Sequence, residues 1–259
     1  MAFRLDPFIL VKAPVSNHTV HVRVIFQGTM EFGEILKNYL VPGLGAIIAS
    51  LTFLSPLKAI QELFRTKRLV ANPLPYPMIC LNCLNWIFYS LLIRNYFIFV
   101  PNFVGLMLGM YYSAVCLTAD LPERMRIKMM YLFFSGTSVI YCVAAISFIQ
   151  FINHAQTILG WTAIVFLCLF YISPLSSLKA VIASQDSSSI DWRLAIVATL
   201  NASLWAVYGF VLRDPFVYGP NLFGLLNGFV QMACCILIPR KVQGQLLGER
   251  MPSTDQIKE

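Results

Sequence analysis

A chain of 259 residues with 58% hydrophobic and only 12% charged side chains cannot clothe a water-facing surface, because soluble domains carry about 25% charged residues. The same composition excludes disorder. A net charge of +7, with no basic run interleaved with aromatics, excludes a nucleic-acid partner. With a mean hydropathy of +0.71, the chain reads as an all-α protein embedded in a lipid bilayer. A span needs about 20 apolar residues to cross a hydrocarbon core about 30 Å thick.

In chain order, the first 38 residues form a polar leader. Its apolar stretch Phe8-Ile9-Leu10-Val11 is too short for a signal-peptide core. Asn17-His18-Thr19 is a glycosylation sequon, which predicts a glycoprotein if this segment faces outward. Apolar runs then predict seven membrane helices at about 40–61, 74–93, 96–119, 127–150, 157–183, 192–212 and 215–238. Asp120 to Arg126 separates the third from the fourth, and Asn153-His154-Ala155-Gln156 the fourth from the fifth. Cys80 and Cys83 form a CxxC inside the second span. With no second pair and no nearby histidine, they read as small buried residues, and no metal or other cofactor is called for.

Charge placement sets the orientation. With the amino terminus outside, the cytosolic segments hold Lys58, Arg65, Lys67, Arg68, Arg124, Arg126, Lys128, Lys179, Arg193, Arg240, Lys241, Arg250 and Lys258. These are thirteen of the 19 basic residues. The positive-inside rule therefore predicts an extracellular amino terminus and a cytosolic carboxyl terminus. The plasma membrane is the first expectation and an internal membrane the alternative.

The chain repeats itself. Phe53-Leu54-Ser55-Pro56-Leu57 recurs as Tyr171-Ile172-Ser173-Pro174-Leu175, at an offset of 118. Asn82 to Tyr89 recurs as Asn201 to Tyr208, at 119. Pro101-Asn102-Phe103-Val104-Gly105 recurs as Pro220-Asn221-Leu222-Phe223-Gly224, again at 119. Each repeat is three helices, and the fourth span is left over to link them. Four crossings return the chain to its starting side, so the repeats run parallel. The expected division is a leader 1–38, a first repeat 39–119, a linker helix 120–152, a second repeat 153–239 and a cytosolic tail 240–259. Transporters use this plan, with substrate held between repeats near the midplane.

No Asp or Glu lies within a span away from its ends, and mid-span polarity comes from Asn. Intramembrane ionisable groups mark proton relays in pumps and transporters, so their absence favours passive movement of a neutral solute. Asn82, Asn85, Asn102, Asn201, Asn221 and Asn227 are costly in hydrocarbon unless paired. An amide donates and accepts without charge, which suits sugar hydroxyls. Trp86 follows Asn82 by four residues, and Trp205 follows Asn201 by four, so each pair shares a helix face. An indole against a C–H face with amides at the rim makes a carbohydrate cage. The competing reading is helix–helix hydrogen bonding by Asn and interfacial anchoring by Trp. Repetition favours the cage for Asn102, Asn221, Trp86 and Trp205, whereas Asn85 and Asn227 keep the packing role. Pro56 and Pro174 are matched kinks. Gly105 and Gly109, echoed by Gly224 and Gly228, read as close-packing positions.

Taken together, these motifs resemble the SWEET sugar transporters in their seven-helix eukaryotic form, over about residues 40–240. The resemblance implies bidirectional, uncoupled transport of a mono- or disaccharide by alternating access, and is compatible with a homo-oligomer. It implies that Asn102 and Asn221 bond sugar hydroxyls and that Trp86 and Trp205 wall the pocket, with Asn82 and Asn201 beside them. It makes Thr52 and Phe170 tuners of sugar size and Tyr89 with Asp214 an outer closure. Pro56, Pro75 and Pro174 match hinge prolines. The fourth hinge proline is absent, and the repeat offset puts Leu194 in its place. Of the rival readings, a seven-helix receptor lacks support from an Asp-Arg-Tyr or Asn-Pro-x-x-Tyr motif. A proton-coupled amino-acid exporter of the proline–glutamine-loop type lacks its Pro-Gln dipeptide and membrane acid. An enzyme lacks any nucleophile–base pair or metal cluster.

Overall fold

The computed structural model describes residues 32–68 and 72–240, and the sequon at Asn17 lies outside them. The described residues form seven helical rods. The first consists of α1 (Phe32–Ile35), a π-helical turn (Leu36–Leu40), α2 (Val41–Leu54) and α3 (Leu57–Thr66). The others are α4 (Pro75–Leu92), α5 (Tyr96–Leu117), α6 (Glu123–Ile149), α7 (Ala155–Ser184), α8 (Trp192–Leu212) and α9 (Pro215–Leu237). Five rods are long and apolar enough to cross a membrane by length and composition: Phe32–Thr66, α5, α6, α8 and α9. α4 has 18 residues, which at 1.5 Å each span about 27 Å.

The first rod is helical from the first described residue, Phe32, inside the stretch assigned to the polar leader. Glu34 and Asn38 explain why polarity did not stop it. They lie one turn apart, and the Asn38 amide donates to the Glu34 carboxylate at 2.9 Å, a helix-stabilising pair. The rod breaks where Ser-Pro predicts it. Pro56 has no N–H for the Thr52 carbonyl, and that carbonyl accepts from the Ser55 N–H instead at 3.1 Å. In the second repeat, α7 runs on through position 174 as one helix. The side chains of 169–174 lie outside the described set, among them Phe170 and Pro174.

Helix starts follow their capping residues. Asn95 caps α5 by accepting from the Ile98 N–H, and Asp214 caps α9 by accepting from the Phe216 N–H. Pro215 and Pro75 open their helices at positions where the missing N–H costs nothing. Pro75 therefore marks the junction of a loop with α4 rather than a bend within a helix. Leu194, its counterpart, sits in the first turn of α8, where its N–H bonds Asp191 at 3.3 Å.

Within each repeat the last two rods pack along each other, α4 on α5 and α8 on α9. Glycines set the spacing. A Cβ at Gly105 would lie 2.6 Å from Cys83 Sγ, and one at Gly109 would lie 2.9 Å from Cys80 Sγ. The CxxC and the GxxxG are thus two sides of one contact. In the second repeat, Thr199 fills the place of Cys80 against Gly228. Between repeats the packing is crossed: α2 lies on α8, and α4 lies on α7. Asn85 works there as a packing residue, fully buried, its amide donating to the Leu159 carbonyl at 3.1 Å. The linker α6 packs on α4 and α7.

The two ends of the bundle differ. At the end holding the α4–α5 and α8–α9 turns, the repeats share one core of Trp86, Tyr89, Ile98, Leu159, Trp205, Tyr208 and Val217. At the opposite end each repeat keeps its own cluster, one around Ile60, Tyr112 and Met129, the other around Val181, Ile190 and Cys234. Among the described residues the repeats share a buried core at the first end, called the gate end after the closure the resemblance implies, and share none at the other, called the parted end.

Candidate substrate cavity

A cavity of about 180 Å³ lies between the repeats below the gate-end core. It is lined by Asn82, Trp86, Pro101 and Asn102 from the first repeat and by Asn201, Trp205, Pro220 and Asn221 from the second. Ala49, Phe53, Leu167 and Val217 complete the wall. All six polar and indole residues singled out from the repeat meet here. Among the described residues the lining carries no acidic or basic side chain.

Two of the four amides are tied to their own helices. Each follows a proline inside its helix, Pro101 in α5 and Pro220 in α9. The next residue turns its side chain back on the helix. Asn102 donates to the Ile98 carbonyl at 2.7 Å, and Asn221 donates to the Val217 carbonyl at 2.8 Å. This spends one amide N–H and leaves the side-chain oxygen and a second N–H in each. The side-chain oxygens of Asn82 and Asn201 are buried without a protein partner. An unsatisfied buried acceptor costs about 1–3 kcal/mol, and the oxygens of Asn85 and Asn227, outside the lining, are buried in the same way.

The closed-end core stands directly on the indoles. Trp86 meets Tyr89 edge to face at 5.5 Å between ring centres, and Trp205 meets Tyr208 the same way at 6.0 Å. The Tyr89 hydroxyl donates to Asp214 at 2.5 Å and accepts from the Gln156 amide at 3.3 Å. This joins the end of α4 to the start of α9. The pair implied as an outer closure is thus in contact, at the closed end.

Thr52 is not in the wall. Its hydroxyl is spent on the Ile48 carbonyl of its own helix at 2.8 Å, and the helical period brings Ala49 and Phe53 to the cavity instead. Phe170 has no described side chain, and among the described side chains of its helix Leu167 lines the cavity. Sequence reasoning missed Ala49 and Leu167. They stand 118 apart, the offset of the Ser-Pro repeat, and that was the signal available. It used Pro101 and Pro220 as motif markers without placing them in the cavity.

A bundle of two parallel three-helix repeats, closed at one end over a cavity lined by amides and indoles, is the architecture of a membrane carrier. The chain belongs to the family described as "Sugar efflux transporter for intercellular exchange" (MtN3_slv), whose sequence model matches residues 40–119 and again 157–243. Among its relatives, "Sugar transporter SWEET1" of Dictyostelium discoideum is 30% identical, covering 73% of this chain and 88% of that protein. "Bidirectional sugar transporter SWEET13" of Oryza sativa subsp. japonica is 26% identical over 73% of this chain and 65% of its own length. A solved structure of a eukaryotic SWEET transporter superposes with a TM-score of 0.70 at 26% identity, covering 78% of this chain and 97% of that one.

Proposed function

We propose that the chain moves a sugar across a membrane in either direction, down its gradient, by alternating access of the cavity between the two repeats. The observation that carries this reading is the paired set of amides and indoles, Asn82, Trp86, Asn102, Asn201, Trp205 and Asn221, around one cavity. Donor–acceptor amides suit hydroxyls, and indole faces suit the C–H faces of a sugar ring. The relatives' names point the same way.

The substrate is a monosaccharide. A cavity of about 180 Å³ has room for one hydroxylated ring. Transport is uncoupled, since the described lining offers no carboxylate, histidine or lysine to carry a proton. Asn82, Asn102, Asn201 and Asn221 bind hydroxyls, Trp86 and Trp205 hold the ring, and Tyr89 with Asp214 closes the gate end. The break at Pro56 gives the first repeat its bend.

The gate end faces outward, with the amino terminus, in a plasma membrane. Among the described residues, Lys58, Arg65, Lys67, Arg68, Arg124, Arg126, Lys128, Lys179, Arg193 and Arg240 fall toward the parted end. Lys37, Arg94 and Arg213 fall toward the gate end. That ten-to-three bias supports a cytosolic parted end. The repeats are taken as 39–119 and 153–239 around a linker 120–152, a division the two family matches support.

The purified chain in vesicles should take up labelled hexose and exclude both labelled sucrose and labelled leucine. Initial rates should be the same at pH 5.5 and 7.5, both values chosen for the assay as about one unit either side of the ordinary His range. Leucine uptake that rises in acid would transfer the chain to the amino-acid exporter reading, and equal uptake of sucrose would overturn the size assignment.

A further inference from the structure

The repeat offset of 119 that carries Tyr89 to Tyr208 also carries Asn95 to Asp214. The structure holds both cross-pairs. Tyr89 bonds Asp214 at 2.5 Å, and the Asn95 amide donates to the Tyr208 hydroxyl at 2.7 Å. In each, a tyrosine near the end of a repeat's middle helix meets the residue that caps the third helix of the other repeat. Each cap residue splits its side chain between two tasks. One oxygen holds the helix start, Asn95 through the Ile98 N–H at 3.2 Å and Asp214 through the Phe216 N–H at 3.0 Å. The second polar atom crosses the interface.

We propose that Asn95 and Tyr208 form a second gate latch, related to the Tyr89–Asp214 latch by the pseudo-twofold axis and needed together with it to close the gate end. The proposal rests on the alternating-access reading above. The two latches differ in polarity. Tyr89 donates to a carboxylate, whereas Tyr208 accepts from a neutral amide, so the second latch is the weaker. They differ in support as well. Gln156 backs Tyr89, and its counterpart at an offset of 118, Asn38, is tied to Glu34 instead. Tyr208 packs on Trp205, a wall of the cavity, so each latch is mechanically joined to one indole. Asn95 and Tyr208 are positioning residues here, acting on the gate rather than on sugar.

The test reads distance. Spin labels on cysteines replacing Arg94 and Arg213, exposed in the two gate-end turns, report the separation of the repeats by pulsed electron resonance. The exposed Cys142 and Cys168 are changed to Ser to keep the labels unique. Tyr208→Phe removes only the hydroxyl, and Asn95→Ser keeps a capping side chain too short to cross. Each should raise the ratio of separated to closed gate by about three- to tenfold, the range expected for one lost hydrogen bond. The double variant should go no further than either single one. Asn95→Asp, whose carboxylate accepts from Tyr208, should restore or deepen closure. Unchanged distances in both single variants, multiplying effects in the double, or an Asn95→Asp that opens like Asn95→Ser would overturn the latch. Sugar counterflow by the unsubstituted chain is scored separately: its absence overturns the transport reading, whereas the distances judge the latch itself.

Discussion

Replacing Asn102 or Asn221 by Ala should lower sugar affinity and transport by about tenfold or more while leaving the chain folded and inserted. Each residue offers an acceptor and a spare N–H to the cavity after its bond to its own helix. One lost hydrogen bond to a neutral partner costs about 0.5–1.5 kcal/mol. Two lost per residue reach about 1–3 kcal/mol, and 1.4 kcal/mol is a factor of ten in affinity. The fold should survive because the protein bond that disappears is a local back-bond to a carbonyl one turn away. Sugar binding by calorimetry and uptake in vesicles measure the effect. Normal binding and uptake in both variants would make the asparagines packing residues and remove the strongest support for the site.

Asp214→Ala should be the most damaging change at the gate. Asp214 is 5% exposed, caps α9 and receives the Tyr89 hydroxyl. Losing the cap costs about 1 kcal/mol, and losing a hydrogen bond to a charged group costs about 1.5–3 kcal/mol. The first loss weakens the fold in either gate state, whereas the second destabilises the closed gate, enough to leave the gate end mostly open and stop the cycle. Tyr89→Phe isolates one part. It keeps the cap and the ring contact with Trp86 and loses only the bond across the repeats. Transport should therefore fall strongly in both variants, whereas the melting temperature should fall clearly more in Asp214→Ala. Equal melting losses would mean that the cap contributes little. Full transport by Tyr89→Phe would mean that the bond does not hold the gate.

Much of this architecture is legible in the sequence, because a bilayer demands long apolar helices and forbids irregular backbone. α8 runs from Trp192 to Leu212, the range predicted from hydropathy alone, and α9 ends one residue short of its predicted limit. The start of the first rod was not legible. Lys37, Asn38 and Glu34 lower the local hydropathy, while the bond that keeps them helical joins two side chains a turn apart. The cavity was legible through repetition, since a residue type conserved across two copies of one unit marks a shared role. Thr52, implied by the resemblance as a tuner of sugar size, stands outside the cavity lining, because the rotational setting of its helix turns Ala49 and Phe53 inward. The Asn95–Tyr208 pair was overlooked for a simpler reason. Its counterpart has Asp where this pair has Asn, so a search for identical residues at the repeat offset passes over it.

The central claim is that one cavity, alternately exposed, carries sugar both ways without protons. Counterflow in liposomes tests it most directly. Vesicles containing the purified chain are loaded with unlabelled hexose and diluted into a trace of labelled hexose. An uncoupled carrier gives a transient inward overshoot of label, unchanged by a proton ionophore and about tenfold or more weaker in Asn102→Ala. An unsubstituted chain that gives no overshoot, or one whose overshoot disappears when the proton gradient is collapsed, would contradict it.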